Sequence, residues 1–162
     1  MADEELTHLD EAGHARMVDV GGKPVSRRRA VATAVVRMSP GTARRLLDGD
    51  LPKGDALAVA RLAGIQAAKR TPELIPLCHH VALAGVAVDL DVDAEAGQVA
   101  VRAAVEAADR TGVEMEALVA ASTAALTVYD MVKAVERGVV VEQVALEEKT
   151  GGARGDWRRQ EA

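Results

Sequence analysis

The chain has 162 residues, 49% of them hydrophobic and 28% charged, with a net charge of -5. That length makes one domain able to bury roughly 70% of the surface of its unfolded chain, and the apolar content excludes a disordered polypeptide. The acidic balance and an aromatic content of 1% (Trp157 and Tyr129, no Phe) leave neither the cationic surface nor the stacking platforms of a general nucleic-acid binder.

A single cysteine, Cys78, excludes an intramolecular disulfide and a thiolate-rich zinc site. No apolar run approaches the ~20 residues needed to cross a bilayer. The acidic stretch from Met1 to Asp10 lacks the basic and apolar segments of a signal peptide, so the cytoplasm is the expected compartment. A core of Ala and Val supplies little area per residue, which points toward subunit contacts that add to it.

Taken in chain order, residues 1–16 are polar and aperiodic and read as a flexible arm. Met17-Val18-Asp19-Val20 reads as a short strand stopped by Gly21-Gly22-Lys23-Pro24. A longer strand is predicted from about Arg28 to Met38, bounded by Ser39-Pro40-Gly41. Thr42 to Asp48 is a short helix ending at Gly49. After the loop Leu51-Pro52-Lys53-Gly54, Asp55 caps a helix to about Lys69. Val86, Val88, Leu90 and Val92 then alternate with Asp89, Asp91 and Asp93, and Val99 to Val105 alternate with Arg102 and Glu106. These are two strands of a hairpin joined at 93–97. Thr111 opens a long helix to about Arg137, closed by Gly138, with Thr111 and Glu114 spaced as a capping box. A last strand covers Val139 to Leu146.

The order strand, helix, strand, strand, helix, strand predicts an α+β, ferredoxin-like βαββαβ fold: an antiparallel sheet with both helices on one face. Its body spans 17–148, followed by a Gly- and Arg-containing tail at 149–162. The fold hosts many activities, so function has to come from particular residues.

Lys53-Gly54-Asp55 sets a lysine just ahead of a helix N-terminus, a place that favours anions; the alternative is a solvated loop lysine. Pro76-Leu77-Cys78-His79-His80 lies in a helix-to-strand loop, where histidine is suited to proton transfer. Taken alone, Cys78 reads as a small buried hydrophobe and His79 as a structural residue, and no ligand spacing supports a metal. On the long helix, Glu116, Thr123, Thr127 and Asp130 fall in a stripe roughly 60° wide. Asp130 and Lys133 are spaced as an ion pair. Glu116 and Asp130 stand ~21 Å apart along a straight helix. A pocket using both is therefore expected between subunits. Lys149-Thr150-Gly151-Gly152-Ala153-Arg154-Gly155-Asp156 reads either as a lid over a phosphate or as a disordered tail.

Beyond these local readings, several long segments occur together in order. They are Met17 to Val20, Pro52 to Asp55, Ala60-Arg61-Leu62-Ala63-Gly64-Ile65-Gln66-Ala67-Ala68-Lys69-Arg70-Thr71, Leu74 to His79, Thr111 to Leu118, Tyr129-Asp130-Met131 and Lys133-Ala134-Val135. With the glycine-rich tail, they resemble the MoaC family from about Leu6 to Asp156. The resemblance implies a catalytic domain of ferredoxin-like fold, assembled as a homohexamer (a trimer of dimers) with active sites shared at subunit interfaces. It implies conversion of 3',8-cyclised GTP to cyclic pyranopterin monophosphate and pyrophosphate, a lyase step of molybdenum cofactor biosynthesis; no cofactor is expected, and no metal ligand is assigned.

Carried over by motif, Asp130 and Lys133 become the acid-base pair, and Lys53, with Lys149 and Arg154, neutralises the triphosphate. His79 and Glu116 hold or protonate the base, and Leu77, Cys78, Glu114 and Met115 line the substrate. Lys69 is assigned to subunit contacts or to phosphate. His80 stands where the family usually has proline, which frees a backbone amide beside His79. The competing reading is a non-enzymatic, ferredoxin-like regulator that binds a nucleotide or pterin and releases it unchanged.

Overall fold

The computed structural model describes residues 8–160. The elements are β1 (Ser26–Arg37), α1 (Pro40–Asp48), α2 (Ala56–Lys69), α3 (Thr71–Leu74), β2 (Leu83–Asp93), β3 (Gln98–Asp109), α4 (Glu114–Val132), β4 (Val140–Thr150) and β5 (Trp157–Arg158). The strands form one sheet in the order β2-β3-β1-β4-β5, and every neighbouring pair is antiparallel. This is the expected α+β, ferredoxin-like arrangement, extended by one short strand.

Alternation along β1 divides the sheet. Ala30, Ala32, Ala34 and Val36 join the core with α4 residues Ala117, Ala120, Ala121, Ala124 and Ala125. The opposite face is stitched by charge: Arg29 to Glu106 and Glu148, Thr33 to Glu147, and Arg37 to Glu142. The small residues let the two long helices approach closely. A Cβ added at Gly64 of α2 would lie 3.0 Å from the Ala120 carbonyl oxygen and 3.3 Å from the Ala124 Cβ. By length and composition α4 is apolar enough to cross a membrane; here its alanines and Val128 are spent on the sheet and on α2.

Helix ends follow local chemistry. Ser39 caps α1 by accepting from the Thr42 amide, Pro40 fills the first turn, and Gly49 closes the helix in the left-handed conformation. Asp55 caps α2 by accepting from the Ala58 amide, as expected from the sequence.

Several expectations are corrected. Met17–Val20 forms no strand; the Val18 carbonyl is taken by a side chain instead. The Thr111–Glu114 capping box does not form, because α4 begins at Glu114 with Val113 as its uncapped N-cap. The helix also stops at Val132 instead of Arg137. Beyond it Glu136 turns back to accept from the amide and hydroxyl of Ser39, and the Tyr129 hydroxyl donates to the Arg137 carbonyl. β4 runs on to Thr150 and pairs with β5, so Lys149 sits opposite Trp157 within the sheet. Of the arm expected at 1–16, residues 1–7 lie outside the described residues; 8–16 close into a small turn with a Leu9–Ala15 bridge.

Candidate active site

Two charged clusters occupy opposite ends of α4. At its C-terminal end, Asp130 receives one ammonium on each carboxylate oxygen: Lys53 Nζ at 2.7 Å and Lys133 Nζ at 2.7 Å. Lys53 also donates to the Asp130 carbonyl oxygen at 2.9 Å. It reaches there from the loop before α2, where Gly54 supplies a positive φ of 86°. The hydrogen bond from Lys133, then that from Lys53, lowers the Asp130 carboxyl to about 2, and Asp130 in turn raises Lys133. At neutral pH the trio is a carboxylate holding two ammonium groups. Lys133 therefore holds its proton more firmly than a free lysine.

At the N-terminal end of α4 lies a cavity of about 530 Å³. Its walls come from the Val18–Lys23 segment, the start of β1, the Leu77–Val81 loop, the 110–116 segment and the 149–154 stretch. Of the expected site residues, the cavity gathers Leu77, Cys78, His79, Glu114, Met115, Glu116, Lys149 and Arg154. It does not include Lys53, Asp130 or Lys133. Lys69 is exposed at the end of α2 and lies in neither cluster. Lys53 is thus separated, within one chain, from the Lys149 and Arg154 with which the sequence grouped it.

The cavity has a chemical polarity. Glu116 is 4% exposed, and burial, assisted by the charges of Glu114 and Asp109, raises its carboxyl above the usual range. Burial and the nearby Glu116 raise the Cys78 thiol in the same way, so Cys78 lines the wall as a thiol and not as a thiolate nucleophile. The His79 ring holds the Val18 carbonyl through Nε2 at 2.6 Å. A carbonyl oxygen only accepts, so Nε2 carries the proton and Nδ1 is the nitrogen left for a ligand. Glu114, freed from any capping role, folds its carboxylate against the Cα of Gly112, where a Cβ would collide with it.

The cationic side includes residues that sequence reasoning missed: Lys23, Arg28 and Arg110 line the cavity together with Lys149 and Arg154. Arg28 shares the strand parity of Ala30, and Ala30 pairs with Lys149 across β1 and β4. Both cations therefore extend the helix-covered face just past the core. Arg28 is held by the Asp109 and Arg110 carbonyls, and a Cβ on Gly152 would strike its guanidinium. The tail is fixed over it by Lys149 Nζ donating to the Gly155 carbonyl and by the Gly151 amide donating to Asp156 at 2.9 Å. Among the described residues, no group of three His, Cys, Asp or Glu side chains is placed to hold a metal ion. The arrangement offers cations that can bind a polyanion and a carboxyl and an imidazole that can exchange protons.

Comparison with known proteins agrees with this chemistry. The MoaC family model matches residues 17–152. A cyclic pyranopterin monophosphate synthase of Streptomyces avermitilis is 58% identical, covering 98% of this chain and 92% of that protein. One from Herpetosiphon aurantiacus is 57% identical, covering 94% of this chain and 93% of that protein. Molybdenum cofactor biosynthesis protein 1 of Mus musculus is 57% identical over 96% of this chain, which corresponds to 24% of the mouse protein.

Proposed function

The chain belongs to the MoaC family and is an enzyme of molybdenum cofactor biosynthesis that makes cyclic pyranopterin monophosphate; from that premise we propose how its two clusters divide the reaction. The substrate is 3',8-cyclised GTP, a small molecule with a triphosphate at one end and a purine-derived ring system at the other. The observation that carries this reading is the cavity itself, whose lining combines five cations with a buried carboxyl, an imidazole and a second carboxylate.

Arg28, Lys149 and Arg154, with Lys23 and Arg110, take the triphosphate. When the cyclic phosphate closes, a substrate hydroxyl gives its proton to water, its oxygen bonds to the α-phosphorus and the bridge to the β-phosphate breaks. Pyrophosphate leaves with the electron pair, and these cations stabilise the charge that develops on it. Glu116, its carboxyl raised by burial, is placed to give a proton to the ring system, and His79 Nδ1 accepts one. Glu114 and Met115 orient the ring against Leu77 and Cys78. Lys133, anchored by Asp130 and partnered by Lys53, supplies a second proton donor for opening and reclosing the ring.

One chain cannot offer both clusters to one substrate, because Glu116 and Asp130 are separated by ~21 Å of helix. The working site is composite: the cavity of one subunit faces the Lys53–Asp130–Lys133 trio of a neighbour, within a homohexamer. Lys69, outside both clusters in one chain, belongs to that subunit boundary. The enzyme works in the cytoplasm, its catalytic domain is 17–148, and the tail assigned to 149–162 lends Lys149, Gly152, Ala153 and Arg154 to the cavity wall.

The test supplies purified protein with freshly made 3',8-cyclised GTP and follows products by mass spectrometry. Release of pyrophosphate with formation of the cyclic phosphate is the expected result. Recovery of the ligand unchanged would instead identify a binding regulator.

A further inference from the structure

The residues ahead of β1 include one group that the mechanism above does not use. His8 lines the same cavity as His79, although it lies far from it in sequence. It is placed there by a self-contained turn. The Arg16 amide donates to the His8 carbonyl at 2.8 Å, Leu9 bridges Ala15, and the Asp10 carboxylate accepts from the amides of Ala12 and His14 at 2.9 and 2.8 Å. The chain then continues directly into Val18, whose carbonyl fixes His79. One continuous stretch thus carries the first imidazole and the carbonyl that holds the second.

We propose that His8 is a substrate-binding residue, its imidazole hydrogen-bonding the bound nucleotide at the cavity mouth, and that the Asp10-centred turn is the device that positions it. The proposal rests on the nucleotide reading of the cavity. The physical ground is that His8 is exposed in the free chain, so its ring has no packing role to fulfil, while its backbone is held by the turn. A side chain held at a cavity mouth without burial is available to a ligand and costs little ordering when one binds. The neighbouring cations supply charge; an imidazole adds a directional hydrogen bond that they do not.

The experiment compares His8→Ala, His8→Gln and Asp10→Ala with the unaltered protein in steady-state turnover of 3',8-cyclised GTP. His8→Ala is expected to raise KM on the order of tenfold with kcat within about twofold, the pattern of a contact made equally in ground and transition states. His8→Gln, which keeps a hydrogen-bonding group, recovers most of the loss, and Asp10→Ala shows part of it. An unchanged KM in His8→Ala, or a loss confined to kcat, overturns the proposal. GTP binding by calorimetry is measured on the same proteins. If the unaltered protein fails to turn over, the functional reading falls, and the GTP affinities still decide the role of His8: weakened by Ala and restored by Gln, or equal in all.

Discussion

Asp130 is the residue whose surroundings make the sharpest statement about protonation. With an ammonium on each oxygen, its carboxyl falls from an ordinary 3.8 to about 2. A group lowered on folding contributes stability above its unfolded value and loses it as pH falls through its folded value. The trio should therefore persist at pH 4 and come apart near pH 2. Carboxyl-carbon NMR should show Asp130 titrating near 2, and Lys133→Ala should move it toward 3.8; a midpoint already near 3.8 in the unaltered protein would contradict the trio. Glu116 has the opposite sign. Its carboxyl is raised above the ordinary 4.5, so its contribution is intact below 4.5 and is lost as pH rises through the folded value. Glu116→Gln should leave the melting temperature unchanged at pH 4, raise it at pH 8, and remove turnover.

At this scale the sequence revealed part of the site. Glu116 and Asp130 stood out as carboxylates on an otherwise apolar helix, and spacing alone paired Asp130 with Lys133. Arg28 did not stand out, because it only opens a predicted strand, flanked by Arg27 and Arg29, and nothing in the sequence sets it apart from them. Only the strand register distinguishes Arg28, on the helix side with Lys149, from Arg29, tied to glutamates on the other face.

Among the elements, the contact of α2 with α4 sets the geometry, because α4 carries a cluster at each end. Small residues permit that contact, and Gly64 is its tightest point. A methyl there meets the Ala120 carbonyl at 3.0 Å and the Val88 Cγ2 at 3.1 Å. Overpacking of this kind costs about 1–3 kcal/mol, against about 1 kcal/mol gained from helix propensity. Gly64→Ala should lose about 1 kcal/mol net in urea unfolding, and a gain in stability would show that the helices can part freely. Periodicity was enough to order the strands and long helices. It overran α4 at both ends, since a Thr-x-x-Glu spacing and a following glycine are end signals only when nothing else claims those groups. Here Glu114 folds over Gly112, and Glu136 is claimed by Ser39. β5 was missed because Trp157 and Arg158 are too few to show alternation; the pairing depends on the glycine turns that bring them back to β4.

For the whole molecule, the central claim is that one active site draws on two chains. It follows from a helix that separates the cavity of about 530 Å³ from the Lys53–Asp130–Lys133 trio by more than a small substrate spans. Each half is built from its own chain's residues and is complete in geometry, which is why both could be described from a single chain. The claim is tested most directly by co-expressing differently tagged Lys53→Ala and Lys149→Ala chains and purifying oligomers that carry both tags. Each variant alone should lose at least about 10²-fold in turnover. In mixed oligomers, an intact cavity from a Lys53→Ala chain meets an intact trio from a Lys149→Ala chain at about a quarter of randomly assembled sites. Recovery to about a quarter of the unaltered activity is the expected result. Mixed oligomers as inactive as either variant alone would place the whole site within one chain and contradict the account.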